Sequence, residues 1–466
     1  MSEVPDVSGS ERRTSIVHGN LRSTLFVLAL PILAEQFLNS FVGFVDTFLS
    51  GHVTPDAHSE LNRHATAAIG VAAYVGWLAS LLFAFVGVGT TALVSRHWGA
   101  GEYEQANRIA NRSMLLALLL GLVVFCLLYT SAPVLASFLE MEGVRFRVAV
   151  RYLQIDAIGH IFGSLSIIGA AALRGTGDTR SPMLVLGLVS LLNMIVSLLL
   201  VFGLGPLPRL GIDGIVAGTV TARFCGGVLM SIVLLRGISG LKLLRSELTL
   251  RGNEVRRILR MGVPAGIDGI VIWAGQFLFL KIINKIGDVP FAAHVVGIQV
   301  EAITYLPAVA WGYAAATMTG QALGHRDADR AKRVGREAVL QCSLLALVIS
   351  VAFFGGATSI YTFMHNDLAV REIGIPGLRL LALFQIPLAI SIVYVHALRG
   401  AGDTQYPMMI NVLGVLGVRL PVAYLLGVTF EGGLYGAWIG MCADVAVRAV
   451  LVTVRHRSGR WVTTKV

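Results

Sequence analysis

Charged residues are scarce in this chain, and their scarcity excludes an ordinary water-soluble domain. Asp, Glu, Lys and Arg make up only 14% of the 466 residues, and 55% are hydrophobic, whereas soluble domains carry roughly 25% charged residues. Twelve apolar stretches reach the length of about 20 residues that a membrane-spanning helix needs. They begin near residues 24, 66, 110, 148, 182, 212, 258, 290, 336, 374, 407 and 433. The composition therefore predicts an all-α membrane protein with twelve spans.

Cysteines are few and isolated, and signatures of catalysis are lacking. Each of the four cysteines stands alone in an apolar stretch, which predicts neither a disulfide framework nor a metal cluster; they are Cys126, Cys225, Cys342 and Cys442. The chain has no Ser-His-Asp set, no zinc-ligand spacing and no nucleotide-binding motif. We therefore expect no enzyme activity, no cofactor and no metal centre.

The formal net charge of +10 does not predict a nucleic-acid partner, because the basic residues fall in alternate loops. The loops rich in Arg and Lys carry Arg96, Arg108, Arg112, Arg174, Arg180, the basic residues between 242 and 260, those between 326 and 336, Arg399 and those between 455 and 465. Short loops rich in Lys and Arg stay in the cytoplasm. We expect a multi-pass protein of the cytoplasmic (inner) membrane with both termini in the cytoplasm.

The chain contains a tandem duplication. Residues 172–183 read ALRGTGDTRSPM, and residues 397–408, which lie 225 positions later, read ALRGAGDTQYPM. Gly99 with Gly324 and Arg108 with Arg333 keep the same offset, which chance does not explain. Each half contains six of the predicted spans.

The duplication predicts five regions. A cytoplasmic amino-terminal tail covers residues 1–21 and a six-helix lobe covers residues 22–237. A charged cytoplasmic linker at 238–256 leads to a second six-helix lobe at 257–455, and a basic tail covers residues 456–466.

Span 1 carries a polar stripe on an otherwise apolar helix. At 100° per residue, Glu35, Asn39 and Asp46 lie within about 40° of one another. Pro31 precedes the stripe by about one turn and removes a backbone hydrogen bond, so it is a candidate bend point. A carboxyl group inside a span is costly and thus a candidate for function, and a buried one can take up and release a proton near neutral pH. Asp46 is our first candidate; the alternative is a structural acid near the outer interface.

Further polar residues occur in the spans of both halves. In the first half these are Asn193, Ser197 and Thr219, which could surround Asp46, and Asp156 with His160, one turn apart, which could be a relay or a structural pair. In the second half they are Asp268, Gln276, Glu301, Arg419 and the pair Asp444 and Arg448.

Asp268 corresponds to Glu35, because each follows its lobe's proline by four residues; both could be functional or structural. For Asp444 and Arg448, spaced i and i+4, we predict mutual neutralisation.

The two RGxGDT sequences predict hairpins rather than phosphate loops, because the Lys and the preceding strand of a P-loop are missing. We expect Arg174 and Arg399 to reach the cytoplasmic head groups while Gly175 and Gly400 terminate helices. Asp178 and Asp403 would accept hydrogen bonds from free amides before Pro182 and Pro407 open the next helices.

These features together resemble the multidrug and toxic compound extrusion (MATE) transporters, over about residues 22 to 455. The resemblance rests on twelve spans in two halves, the repeated LRGxGDT before spans 5 and 11, GFVDT in span 1, and the GAG and GHR turns after spans 2 and 8. It implies two six-helix bundles related by a pseudo-twofold axis, alternating access, and export of amphipathic, often cationic compounds coupled to inward flow of H+ or Na+.

The resemblance also implies roles for individual residues, with two departures. Asp46 and Pro31 match the family's span 1 Asp and proline, and Asn193 and Thr219 match its amino-lobe cation site, but the family's span 5 Asp is Ser197 here. Na+ at Asp46, Asn193 and Thr219 therefore lacks one carboxylate ligand.

In the carboxyl lobe, the coupling carboxylates of the NorM-like branch are replaced by Ile272 and approximately Leu388. The pattern is closer to the DinF-like branch, in which protonation of the amino lobe is thought to bend span 1 at its proline.

We predict an exporter of amphipathic cations, drugs or metabolites, by antiport with H+. Asp46 takes the proton, and the proton affinity of Asp46 is adjusted by Asn39, Asn193, Ser197 and Thr219. The alternatives are Na+ coupling and a flippase of lipid-linked saccharides, for which Arg223 and Arg419 would be the main buried cations. We expect contacts with membrane lipids, no nucleic acid and a monomer.

Overall fold

The computed structural model describes residues 19–53, 60–139 and 141–464, and the described chain is helical without a β-strand. The helices are α1 (Leu21–Gly51), α2 (Glu60–Gly99), α3 (Tyr103–Phe138), α4 (Gly143–Thr176), α5 (Arg180–Phe202), α6 (Ile212–Arg236), α7 (Asn253–Ile286), α8 (Asp288–Gly324), α9 (Ala328–Met364), α10 (Leu368–Leu383), α11 (Gln385–Gly400), α12 (Gln405–Thr429) and α13 (Gly433–Ser458).

The prediction of an all-α membrane protein with twelve spans is confirmed. Eleven helices of the described chain are long and apolar enough to cross a membrane. The twelfth span is α10 with α11, which meet at a bend of 50°. Span 11 of the sequence is therefore α12, and span 12 is α13.

The helices form two compact units. Unit 1 contains Ala34–Trp98 and Glu102–Gly262, and unit 2 contains Gly99–Gly101, the chain from Val263 onward and the described residues up to Leu33. Apolar side chains of α1, α2, α4 and α6 pack in unit 1, among them Leu49, Ile69 and Ile215. Phe279, Ile283 and Trp438 pack in a separate core in unit 2, so each unit buries a core of its own.

Two helices are divided between the units near a proline. The first part of α1, through Leu33, belongs to unit 2, and the division lies two residues after Pro31. Likewise, the first part of α7, through Gly262, belongs to unit 1, and the division lies just before Pro264. In both halves of the duplication, therefore, the start of the first helix packs with the unit of the other half.

Helices α2 and α7 cross within unit 1 at two glycines. A Cβ atom on Gly262 would overlap the backbone carbonyl of Phe85, and one on Gly89 would overlap the carbonyl oxygen of Ile258. Small residues let two membrane helices approach this closely. The crossing is therefore closed to any larger side chain unless a backbone moves.

We expect Gly262→Ala to destabilise the protein, because backbone atoms cannot yield as a flexible side chain would. Overpacking of this kind costs about 1 to 3 kcal/mol, which lowers the melting temperature by roughly 1 to 6 °C. Thermal unfolding of the purified protein in detergent measures the change. Gly43→Ala is the matched control, because a Cβ on Gly43 of α1 meets nothing within 4 Å; an equal melting temperature for both variants would refute the close crossing.

Helix α12 departs from regular α-helical geometry. Leu413–Arg419 and Leu425–Thr429 form π-helical turns. Such turns widen a helix locally and are frequent at functional sites. The first of them ends at Arg419, so it determines where that buried guanidinium lies.

Candidate functional site

Asp46, the first candidate from the sequence, lies in the second half of α1 and is half-buried. Its Oδ1 atom is buried and accepts no hydrogen bond from the described residues. The charged side chains within electrostatic reach are Arg223 of α6 and Asp156 of α4. A half-buried carboxyl group with an unused oxygen can bind a proton or the positive group of a ligand.

The other polar residues predicted for this site bind one another. Asn193 Nδ2 donates to Thr219 Oγ1 at 3.1 Å, and Ser197 Oγ lies 3.5 Å from Asn193 Oδ1. Both hydroxyl groups also donate to the backbone oxygen of Ile215, at 3.2 Å each. The structure thus brings these three residues together as a buried link between α5 and α6.

Asn39, predicted on the same stripe as Asp46, is exposed at the surface of the chain. The structure shows no hydrogen bond from Asn39 to Asp46. Its assignment to the coupling site stays a prediction.

Asp156 and His160 form the predicted pair, with His160 Nε2 3.2 Å from Asp156 Oδ2. The pair has a third member that the sequence did not indicate: Arg223 Nη1 donates to Asp156 Oδ1 at 2.8 Å. The carboxylate of Asp156 is nearly inaccessible, at 6% exposed, whereas the Arg223 side chain is 27% exposed. The arrangement is a buried ion pair with its cation nearer the surface.

Glu35 is part of an ion pair rather than an isolated group. Arg174 Nη2 donates to both carboxylate oxygens of Glu35, at 2.5 and 2.6 Å. Both side chains are buried. The expectation that Arg174 reaches the lipid head groups is therefore wrong, because the carboxylate of Glu35 holds the guanidinium inside unit 1.

The second half repeats this pair. Asp268 of α7 accepts hydrogen bonds from Arg399 of α11 and from Asn411 Nδ2 of α12, the latter at 2.8 Å. Asp268 is fully buried, so the expectation that Arg399 reaches the head groups is also wrong. The duplicated Arg of the RGxGDT sequence thus binds, in each half, the carboxylate that follows the lobe's proline by four residues.

A further buried ion cluster joins α7, α12 and α13. Asp444 accepts from Arg448 Nε at 2.7 Å and from Arg419 Nε at 2.9 Å. Arg419 Nη1 also donates to Gln276 Oε1 at 3.1 Å. The predicted neutralisation of Asp444 by Arg448 is confirmed, and Arg419 is a second partner that sequence spacing did not indicate.

Glu301 of α8 is half-buried and forms no hydrogen bond or ion pair with the described residues. It lies within electrostatic reach of Arg419 and Arg448. The described chain contains no group of three or more His, Cys, Asp or Glu side chains that could hold a metal ion.

The RGxGDT turns differ from the prediction in detail. Helix α4 ends at Thr176, and the left-handed residue that follows is Gly177, with φ of +92°, so the assignment of helix termination to Gly175 is wrong. Gly175 lies instead where a Cβ would come within 2.9 Å of the side chain of Val94. In the second copy α11 does end at Gly400, and Gly402 has φ of +93°.

The aspartates of the two turns have different partners. Asp178 Oδ1 accepts from the amides of Arg180 and Ser181, at 3.1 and 3.0 Å, as predicted. Asp403 instead accepts from Arg455 Nε of α13 at 2.8 Å. The second turn is thus tied to the last helix.

The duplication in the sequence contains a signal for the two ion pairs of Arg174 and Arg399. Arg174 and Arg399 stand at the same place in the duplicated sequence, as Glu35 and Asp268 do relative to the two prolines. When a basic and an acidic residue both recur at equivalent positions of the two halves, the duplication indicates that the same ion pair forms in each half. Arg223 has no such signal, because its partner lies 67 positions away on another helix.

Comparison with known proteins gives consistent results along nearly the whole chain. The family model MatE matches residues 31–199 and 264–425. A probable multidrug resistance protein NorM of Thermotoga maritima is 30% identical over 448 residues, which are 95% of this chain and 93% of that protein. The multidrug resistance protein PmpM of Pseudomonas aeruginosa is 27% identical over 456 residues, which are 94% and 91% of the two chains.

Solved structures agree in fold. The crystal structure of a MATE protein in the bent conformation has a TM-score of 0.87 at 20% identity and covers 96% of this chain and 97% of that one. A MOP superfamily transporter from Pyrococcus furiosus, described as having a binding pocket of reverse polarity, has a TM-score of 0.89 at 19% identity, with coverage of 99% and 100%. At these identities the likeness concerns the fold alone.

Proposed function

The chain belongs to the MatE family of membrane transporters, and we propose that it exports amphipathic cations, drugs or metabolites, by antiport with H+ bound at Asp46. Members of the family are secondary transporters, not enzymes. The relatives named as multidrug resistance proteins support the substrate class. The alternate distribution of Arg and Lys supports an inner-membrane protein with both termini in the cytoplasm.

The observation that carries the proposal is the unused oxygen of Asp46. Most other carboxylates in the spans are occupied, because Glu35, Asp156, Asp268 and Asp444 each accept hydrogen bonds from at least one guanidinium. Asp46 Oδ1 is buried and has no hydrogen-bond partner among the described residues. It can therefore take up a proton or a cation without first breaking an ion pair.

Antiport follows when one carboxyl group binds either a proton or the positive group of the substrate. Each ligand then lowers the affinity for the other, and this coupling is reciprocal. A proton entering from outside displaces the cation, and the export of the cation is driven by the proton gradient. Asn193, Ser197 and Thr219 would support the site indirectly, by fixing α5 against α6.

Transport by purified protein in proteoliposomes tests the proposal. We expect an imposed pH gradient to drive flux of a fluorescent cation at least tenfold above empty vesicles, and an equal sodium gradient to drive none. Transport driven by sodium alone would contradict H+ coupling. Flux of neither kind, with accelerated flipping of a lipid-linked saccharide in the same vesicles, would contradict export of cations and support a flippase.

A further inference from the structure

An apolar groove that the proposed antiport does not use lies in unit 2, between α12 and the second half of α7. Its volume is about 700 Å³, within the range of about 300 to 1,000 Å³ that sites for small molecules occupy. Leu278 and Ile282 line it from α7, and Leu420, Pro421 and Leu425 line it from α12. This α7–α12 groove therefore offers apolar walls to an apolar chain.

One end of the α7–α12 groove is closed by contacts between the two helices. A Cβ atom on Gly275 of α7 would overlap the side chain of Val415 of α12. At the next residue, Gln276 Oε1 accepts a hydrogen bond from Arg419 Nη1 at 3.1 Å. The residues that line the groove follow these contacts in both helices, so the groove extends from its closed end toward the carboxyl ends of α7 and α12.

Two lysines line the other end of the groove. Residues 261–280 contain one charged residue, Asp268, and match the length of about 20 residues that crosses the hydrocarbon of a bilayer. Lys281 follows this stretch directly and Lys285 follows one turn later, and both are exposed. Because lysine side chains extend along apolar surface toward water, the two ammonium groups reach the level of the lipid head groups.

The polar groups at this end have hydrogen-bond donors left for a ligand. Lys285 Nζ donates to Tyr424 Oη at 3.1 Å and lies 5.0 Å from the centroid of the Tyr424 ring. An ammonium group has three donors, so Lys285 retains two, and the Tyr424 hydroxyl, which accepts here, can donate its own proton. Neither Lys281 nor Lys285 forms an ion pair with a carboxylate of the described chain. This end therefore presents uncompensated positive charge to an anion.

We propose that the α7–α12 groove binds one anionic phospholipid: Lys281, Lys285 and Tyr424 hold the phosphate of the head group, and the apolar walls hold part of an acyl chain. Charge complementarity selects an anionic lipid, because the cationic group of a zwitterionic lipid would meet the two lysines. With cytoplasmic termini, as proposed above, α7 runs outward, so the lipid lies in the outer leaflet. The inference goes beyond the proposed antiport and does not depend on the coupling ion.

Lipid binding to the purified full-length protein in detergent tests the inference without requiring transport. Phosphatidylglycerol and phosphatidylcholine with the same acyl chains are titrated in parallel, and native mass spectrometry gives the dissociation constant of the first bound lipid. Each lysine near an anionic head group strengthens binding about fivefold. We therefore expect wild type to bind phosphatidylglycerol at least about tenfold more tightly than phosphatidylcholine.

Variants of the two lysines assign this preference to the groove. Lys281→Gln with Lys285→Gln should weaken the binding of phosphatidylglycerol about tenfold or more and leave the binding of phosphatidylcholine unchanged. Lys281→Arg with Lys285→Arg keeps both charges and should bind as wild type does. The matched control, Arg145→Gln with Arg147→Gln, removes two exposed charges near the start of α4 in unit 1 and should retain the preference.

Leu278→Trp tests the apolar part of the site while both lysines stay in place. Leu278 lines the groove and is 44% exposed, so the larger side chain fills the groove rather than a packed core. We expect phosphatidylglycerol to bind at least about threefold more weakly, because the acyl chain loses apolar contact. This variant carries the test if the glutamine double variant does not fold, and unchanged binding would exclude an acyl chain from the groove.

Other results would also overturn the inference. Equal dissociation constants for the two lipids in wild type, or binding of phosphatidylglycerol unaffected by Lys281→Gln with Lys285→Gln, would show that the lysines do not select an anionic head group. An equal loss in Arg145→Gln with Arg147→Gln would show a general effect of protein charge. Displacement of the lipid by inorganic phosphate would show a site for free phosphate. None of these results involves proton-driven flux, so a failure here is distinguishable from a failure of the proposed function.

Discussion

Asp46→Asn is expected to reduce proton-driven flux of a fluorescent cation to the rate of empty vesicles while the protein stays folded. The amide has almost the shape of the carboxyl group, but it neither binds a proton near neutral pH nor carries a negative charge for a cationic substrate. Folding should be spared because Asp46 Oδ1 has no hydrogen bond to lose within the described chain. Flux in proteoliposomes under an imposed pH gradient measures the loss.

A matched control separates the site from a general effect of removing a carboxylate. Asp329 is 80% exposed and pairs only at the surface, with Lys332 at 3.5 Å, so Asp329→Asn should transport as wild type does. Asp46→Glu keeps a carboxyl group and should retain part of the flux. Proton-driven flux in Asp46→Asn near the wild-type rate, with a normal melting temperature, would exclude Asp46 as the coupling residue.

Asp444→Ala is expected to cause the largest loss of stability among single substitutions of charged residues in unit 2. Asp444 is fully buried and accepts hydrogen bonds from both Arg419 and Arg448. Its removal leaves two buried guanidinium groups without their common carboxylate, and breaking a buried pair from one side costs about 3 to 5 kcal/mol. The melting temperature in detergent should fall by roughly 3 to 10 °C.

The same exposed position provides the comparison for this prediction. Asp329→Ala breaks only a surface pair, for which the expected cost is about 0 to 1 kcal/mol. A triple variant in which Asp444, Arg419 and Arg448 are all replaced by apolar residues of similar size should recover much of the lost stability, because no buried charge is left unpaired. A melting temperature unchanged by Asp444→Ala would show that this cluster does not hold α12 and α13 together.

The helices and the duplication could be predicted from the sequence because both depend on local patterns. Apolar length predicts a span, and the repeated RGxGDT sequence reveals the two halves. Pairs within one helix, such as Asp444 with Arg448 and Asp156 with His160, followed from the spacing of the helical turn.

The third partner in each ion cluster could not be predicted, because it comes from a different helix. Arg223 and Arg419 lie 67 and 25 positions from the carboxylates that they bind, and sequence spacing alone does not reveal which helices touch. The hydrogen bonds among Asn193, Ser197 and Thr219 likewise depend on how α5 packs on α6. In physical terms, the burial of charge selects the partners, and burial is a property of the packed helices.

The division of α1 and α7 between the two units could not be predicted from the sequence either. Pro31 marked a candidate bend in the sequence, but nothing local indicates that the residues before either lobe's proline pack with the other half's unit. The apolar face of such a segment is compatible with either core, so its partner is determined by the fold.

Proton release on substrate binding tests the central claim most directly, because it measures competition at one carboxyl group without a membrane. A cationic substrate is added to the purified protein in weakly buffered detergent solution near neutral pH, and a pH-sensitive dye reports the protons. If Asp46 binds either ligand, wild type should release up to about one proton per bound cation, and Asp46→Asn should release none. Binding without proton release across the pH range in wild type, or equal release from Asp46→Asn, would contradict the account.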